Sequence, residues 1–190
     1  MNGWNKVKWT EARQILQGMD LEEERLTDPD VDPRSFFNQL REAGKGELAI
    51  RYLGQALPRY EAVGWAALGI NAQASAATLG PIERQALDHS LRWVEEPTDG
   101  HRRAAQEAAE RAKAGSAEWL LGQAVLLSGG SIAPPDLAAV IPPHATCGNL
   151  ASAALLVACH RDLLPDKAVS AMLDAGDKVA ASGLEALRSA

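Results

Sequence analysis

The sequence predicts an all-α protein, an irregular bundle of about eight to nine helices built from antiparallel helical hairpins. Three observations predict it. No run of residues alternates β-branched and aromatic side chains against polar ones, as a half-buried strand would. Apolar residues recur instead at three- and four-residue spacing, behind capping residues and prolines. The breaks between these segments are short, with one exception, and short connections make antiparallel neighbours. No fixed period repeats, which argues against a solenoid.

The first segment runs from Thr10 to Met19, with Thr10 as candidate cap and Ile15, Leu16 and Met19 on one side. An acidic stretch, Asp20 to Glu24, and the turn-like Asp28-Pro29-Asp30-Val31-Asp32-Pro33 follow. They read as a linker, so residues 1–32 are expected to form an N-terminal arm and residues 33–190 the helical domain. Asp32 is a natural N-cap and Pro33 a natural first residue for a second helix, ending near Ala43. Glu47 to Leu57 and Pro58 to about Ala76 supply the third and fourth. The fourth is apolar on more than one side, with Trp65 and Leu68 off the stripe of Val63, Ala66, Ala67 and Ile70, which makes it central. The fifth spans Pro81 to Glu95. The sixth, Asp99 to Ala114, follows Thr98 as cap and carries a stripe of alanines that permits close helix approach. Ser116 caps the seventh, Ala117 to Leu127. Thr146 is expected to cap an eighth, reaching about His160, and Pro165 opens a ninth that reaches about Leu187.

Composition bounds the function. The chain has 190 residues, 46% hydrophobic and 23% charged, enough to bury a core without disulfide or metal. A net charge of −6 opposes nucleic-acid binding, which needs clustered cations against phosphates. The N-terminal residues lack the apolar core of a signal peptide, and the most apolar runs, Trp119 to Leu127 and Leu150 to Ala158, are too short to span a bilayer. Cys147 and Cys159, the two cysteines, lie about 18 Å apart if both are helical, too far for a disulfide. Free thiols and no leader make a cytoplasmic protein the expectation.

The exceptional break is the Gly- and Pro-rich segment from Ser128 to about Thr146, which contains Ser128-Gly129-Gly130-Ser131-Ile132-Ala133-Pro134-Pro135. Loops this long are uncommon in compact domains and are usually functional or disordered, which makes this segment the place to look for function. Ser131 between Gly129-Gly130 and Ala133 resembles a nucleophile elbow superficially, with Asp136 and His144 as partners, but that motif needs a strand before it and a final glycine. A helix stop followed by a rigid loop explains the same residues. A zinc site from His144, Cys147, Cys159 and His160 fails on distance along one helix. Asp28, Asp30 and Asp32 start like a calcium loop, but Pro33 and Gln39 occupy positions that require Gly and Glu. His101-Arg102-Arg103 could hold an anion, although Glu107 and Glu110 on the same helix favour a solvated charged face. His89 beside Asp88 reads as packing or surface. No cofactor motif is present, and no catalytic, cofactor or metal residue is assigned.

Five tryptophans stand in a chain with few Phe and Tyr. Trp65, Trp93 and Trp119 read as core. Trp4 and Trp9 sit in the arm, where two readings stay open: they anchor a partner, as interface tryptophans do, or the arm folds back on the bundle.

Two segments carry a resemblance. Leu53 to Ala67, containing Ala56-Leu57-Pro58-Arg59-Tyr60-Glu61-Ala62-Val63-Gly64-Trp65-Ala66, and Ser128 to Pro135 behind Trp119 resemble signatures of a bacterial helical family without an established activity. The resemblance covers roughly residue 33 onward and departs at Gly64, where the family usually carries a second Trp. It implies a setting near type VI secretion genes and transfers no catalytic residue.

The functional expectation is a non-enzymatic, cytoplasmic protein–protein interaction protein: an adaptor, chaperone or immunity-type accessory of type VI secretion. Its partner would be a secretion component, an effector or a second copy of the chain, with no nucleic acid or membrane involved. Trp4, Trp9, Ser131, Ile132, Pro134 and Pro135 are the partner-binding candidates. The alternative is a hydrolase or ligand-binding enzyme using the Ser131/His144 loop.

Overall fold

The computed structural model describes residues 3–19, 30–74, 79–134 and 136–188, with His144 described by its backbone alone. Residues 20–29, which hold most of the expected acidic linker and Asp28, lie outside the described residues, as does Pro135. The described residues form ten helices and no strand. These are α1 (Ala12–Gln17), α2 (Pro33–Glu42), α3 (Gly46–Ala56), α4 (Arg59–Ala74), α5 (Pro81–Glu95), α6 (Asp99–Ala109), α7 (Ala117–Leu126), α8 (His144–Cys159), α9 (Pro165–Ser182) and α10 (Glu185–Arg188). The fold is an all-α bundle.

Local chemistry sets most boundaries. The Asp32 carboxylate accepts the backbone N–H groups of Arg34 and Ser35, both at 3.1 Å, and Pro33 opens α2. Thr98 accepts from the His101 N–H, and Ser116 from that of Trp119. Several boundaries differ from the sequence expectation. Helix α1 spans only Ala12–Gln17, with Glu11 and not Thr10 at its cap position. Helix α6 stops at Ala109, because the chain turns through Arg111 and Ala112 to Gly115 at φ +79°. Helix α8 starts two residues before Thr146, immediately after the extended Pro143. The ninth helix breaks at Gly183, whose φ of +83° favours glycine, and a separate turn, α10, follows.

Helices α4 and α8 form the centre. Helix α8 packs on α7, α4, α3 and α9, and α4 also meets α5 and α7. Trp65, fully buried on α4, donates its indole N–H to the Met172 carbonyl of α9 at 2.9 Å. Helices α3 and α8 touch backbone to backbone: a Cβ on Gly148 would lie 2.1 Å from the Gly54 oxygen. At Gly64 a Cβ would lie 2.2 Å from Leu184 Cδ1, so the position that departs from the resembled pattern makes room for Leu184 beyond α9.

The N-terminal arm lies on the bundle. Trp4 is buried, its ring 5.1 Å from that of Phe37, and its indole N–H donates to Asp177 at 2.7 Å. The Lys6 N–H donates to the Ala180 carbonyl, and Ala12, Ile15, Leu16 and Met19 join the common core. Of the two readings of the arm, residues 3–19 therefore adopt the folded-back one.

Candidate functional site

The segment between α7 and α8 is held by bonds to its backbone. Helix α7 ends, Gly130 takes a φ of +68°, and the chain passes over α6. Arg102, almost fully buried, donates to the carbonyl oxygens of Leu126 and Ser131, the latter at 2.8 Å. Arg103 donates to Ser131 at 3.1 Å and Ala133 at 3.0 Å. Asp99, one turn earlier, accepts from both guanidinium groups. Hydrogen bonds from Arg102, then Arg103, hold its carboxyl below the ordinary range, so the triad stays charged. The two arginines that sequence reasoning placed on a solvated face are thus the loop's mooring.

Ser131 closes the loop on itself. Its Oγ accepts the N–H groups of Ala133 at 3.1 Å and Val140 at 3.0 Å, while the Ile132 N–H donates to the Val140 carbonyl at 2.9 Å. At the far end Arg59 donates to the Pro142 carbonyl, and Gln55 to those of Ala145 and the Asn149 side chain. The held backbone presents apolar side chains outward: Leu137 is 61% exposed, Ile141 64%, and Val140 and Pro134 are exposed beside them.

The chain also matches a known sequence family. The profile described as a family of unknown function, DUF6931, matches residues 36–180. The chain belongs to the DUF6931 family. The DUF6931 match begins inside α2 and takes in the whole loop, while the arm that carries Trp4 and Trp9 precedes it. No curated protein matches the chain. No solved structure matches it.

Within this DUF6931 chain the candidate partner residues separate. Ser131 and Ile132 are half-buried and engaged inside the loop, and Pro134 is exposed. Trp4 is in the core. Trp9, 39% exposed, borders a cleft of about 570 Å³ shared with Val7 and Pro33. Sequence reasoning missed Leu137, Val140 and Ile141. Their signal was present, as aliphatic residues between two Pro-Pro pairs with no helical spacing to explain them.

Most of the remaining candidates are buried or paired. Cys147 and Cys159 are both buried on α8, and burial pushes the Cys147 thiol up to about 12 and that of Cys159 upward, away from thiolate chemistry. His160 contacts Glu47 at 3.0 Å, Asp30 pairs with Arg13, and Asp32 caps α2. His89 is half-buried on α5. Among the described residues no three His, Cys, Asp or Glu side chains group to hold a metal ion. No described helix is long and apolar enough to cross a membrane.

Proposed function

We propose that this protein acts by binding another protein through the loop between α7 and α8, without catalysing a reaction. One observation carries the reading: Leu137, Val140 and Ile141 stand in solvent on a backbone moored by Arg102, Arg103 and Ser131. Exposed apolar patches mark contact surfaces, and a preorganised apolar ridge loses little entropy on docking. The partner presents a complementary apolar groove, and Trp9 is a second contact on the arm. The resemblance at residues 53–67 and 128–135 supplies the setting, a cytoplasmic bacterial accessory of type VI secretion acting as adaptor, chaperone or immunity-type protein.

The hydrolase alternative is less favoured by the same geometry. Both acceptor positions of the Ser131 Oγ are taken by loop amides, so nucleophilic attack would break the bonds that shape the loop. The test places a photo-crosslinking residue at Ala139 in the native cell, with and without Ile141→Asp. A single crosslinked partner that disappears in the Ile141→Asp background, at unchanged melting temperature, is the expected result. Crosslinking indifferent to Ile141→Asp, or a hydrolytic activity lost in Ser131→Ala without loss of stability, would overturn the reading.

A further inference from the structure

The loop between α7 and α8 carries a backbone pattern as well as apolar side chains. Over residues 138–143 the chain runs without a turn or bend. Val140 uses both of its backbone groups on one side. Its N–H donates to Ser131 Oγ at 3.0 Å, and its carbonyl accepts the Ile132 N–H at 2.9 Å. Peptide groups alternate sides along an extended chain, so those of Ala139 and Ile141 point the other way. Both residues are exposed, and neither makes a backbone hydrogen bond to a described residue. This open edge is bounded at both ends. The Leu137 N–H is taken by the Pro134 carbonyl at 3.1 Å, and Pro143 has no N–H. Between them the N–H and carbonyl groups of Ala139 and Ile141 stand unpaired among the described residues. Native edges are commonly blunted by charge, and this one is not: Leu137-Ala138-Ala139-Val140-Ile141 is uncharged.

We infer that the occupant of this edge is a strand of the partner: the unpaired edge strand of a sheet, added alongside residues 139–141 by main-chain hydrogen bonds. The inference rests on the reading of the loop as a protein-binding site. Donors and acceptors set along an extended backbone are complementary to another extended backbone. Side chains then alternate across the widened sheet, Ala139 and Ile141 on one face and Val140 on the other, where pockets of the partner can read them. A second copy of this chain is a poor occupant. The described residues form no strand, so a copy would offer only the same short segment, and a two-stranded ribbon alone is marginally stable in water. Charge points the same way. The chain carries −6 and the exposed Asp136 precedes the edge, so two copies repel. A sheet whose edge strand ends in a cation is attracted instead.

The test uses the full chain and two synthetic three-stranded sheet peptides of one sequence, each with an apolar edge strand ending in Lys. One peptide has an open edge. In the other that edge is N-methylated, which removes its outward N–H groups and keeps its side chains. In NMR titration the open sheet should bind about tenfold or more tightly than the N-methylated one, and should slow amide exchange at Ala139 and Ile141. Ala139→Pro should no longer bind the open sheet, at unchanged melting temperature, because the Ala139 N–H has no partner to lose in the free chain. Ala138→Pro removes an N–H from the side that faces Ser131, and should bind as the native chain does. Failure of the open sheet to bind, equal binding of the two sheets, or an equal effect of the two proline variants overturns the inference. So does slowed exchange at Ala139 and Ile141 on raising the concentration of the chain alone, which would make the occupant a second copy. The loop reading survives each of these results as long as the crosslink at Ala139 disappears in Ile141→Asp, and falls only if that crosslink is indifferent to the change.

Discussion

The two tryptophans of the arm differ in role, although they are five residues apart in sequence: Trp4 is buried and Trp9 is exposed. Trp4 fills space against Phe37 and satisfies its N–H on Asp177, whose carboxylate Arg34 also holds at 2.8 Å. Trp4→Ala should cost about 3–5 kcal/mol in urea unfolding, the scale of a buried aromatic truncated to Ala. Trp9→Ala should cost under about 0.5 kcal/mol, as exposed substitutions do. Neither residue type nor spacing distinguishes them; the difference lies in Asp177, far along the chain. Glu118 was equally hidden. It reads as a first-turn acid of α7, yet it is fully buried and paired with Arg161. Arg161→Ala strands that carboxylate and should destabilise the protein by about 3 kcal/mol. Arg161→Ala together with Glu118→Leu should recover much of it.

Helices were legible where a local bond sets the boundary. Asp32, Thr98 and Ser116 each cap the helix expected of them, since an Asp, Thr or Ser oxygen reaches its own N2 or N3 amide whatever the tertiary context. Boundaries set by tertiary contact were not. Gly183 reads as a tolerable helix glycine, but it breaks the ninth helix where Lys6 passes, a Cβ there lying 2.8 Å from Lys6 Cε. The loop was legible as a long break, but its mooring was not, because Arg102 and Arg103 are i and i+1 on a helix that otherwise looks solvated. The cap of α2 also titrates. The Ser35 hydroxyl, then backbone N–H groups, hold the Asp32 carboxyl below its ordinary value against the opposing effect of burial. Its contribution is therefore complete above pH about 4 and lost as pH falls through the lowered value. Asp32→Asn keeps the acceptor and removes the charge change. Its melting temperature should fall less steeply below pH about 4 than that of the native chain, and Asp32→Ala should cost about 1 kcal/mol at neutral pH.

At the scale of the molecule, the arm and the bundle share one core. Trp4, Ile15 and Leu16 sit in the same apolar cluster as Phe37, Trp65 and Leu155. Tryptophan fluorescence and far-UV circular dichroism should therefore report one coincident urea transition. An earlier transition seen by fluorescence alone would mean that the arm melts by itself. The bundle was legible because helical periodicity is local. The apolar surface of the loop was only half legible: exposure belongs to the assembled fold, and nothing in Leu137 or Ile141 as letters says which side faces water.

The bond between Trp4 and Asp177 joins residues separated by 173 positions. During synthesis at about 5–20 residues per second, the indole waits roughly 10–35 seconds for its acceptor to be made. Over that interval Trp4 and Arg34 lack the Asp177 carboxylate to which both donate, and long-range closure of this kind is slow to form. The side-chain bond that ties the arm to the bundle therefore cannot form before α9 has been made.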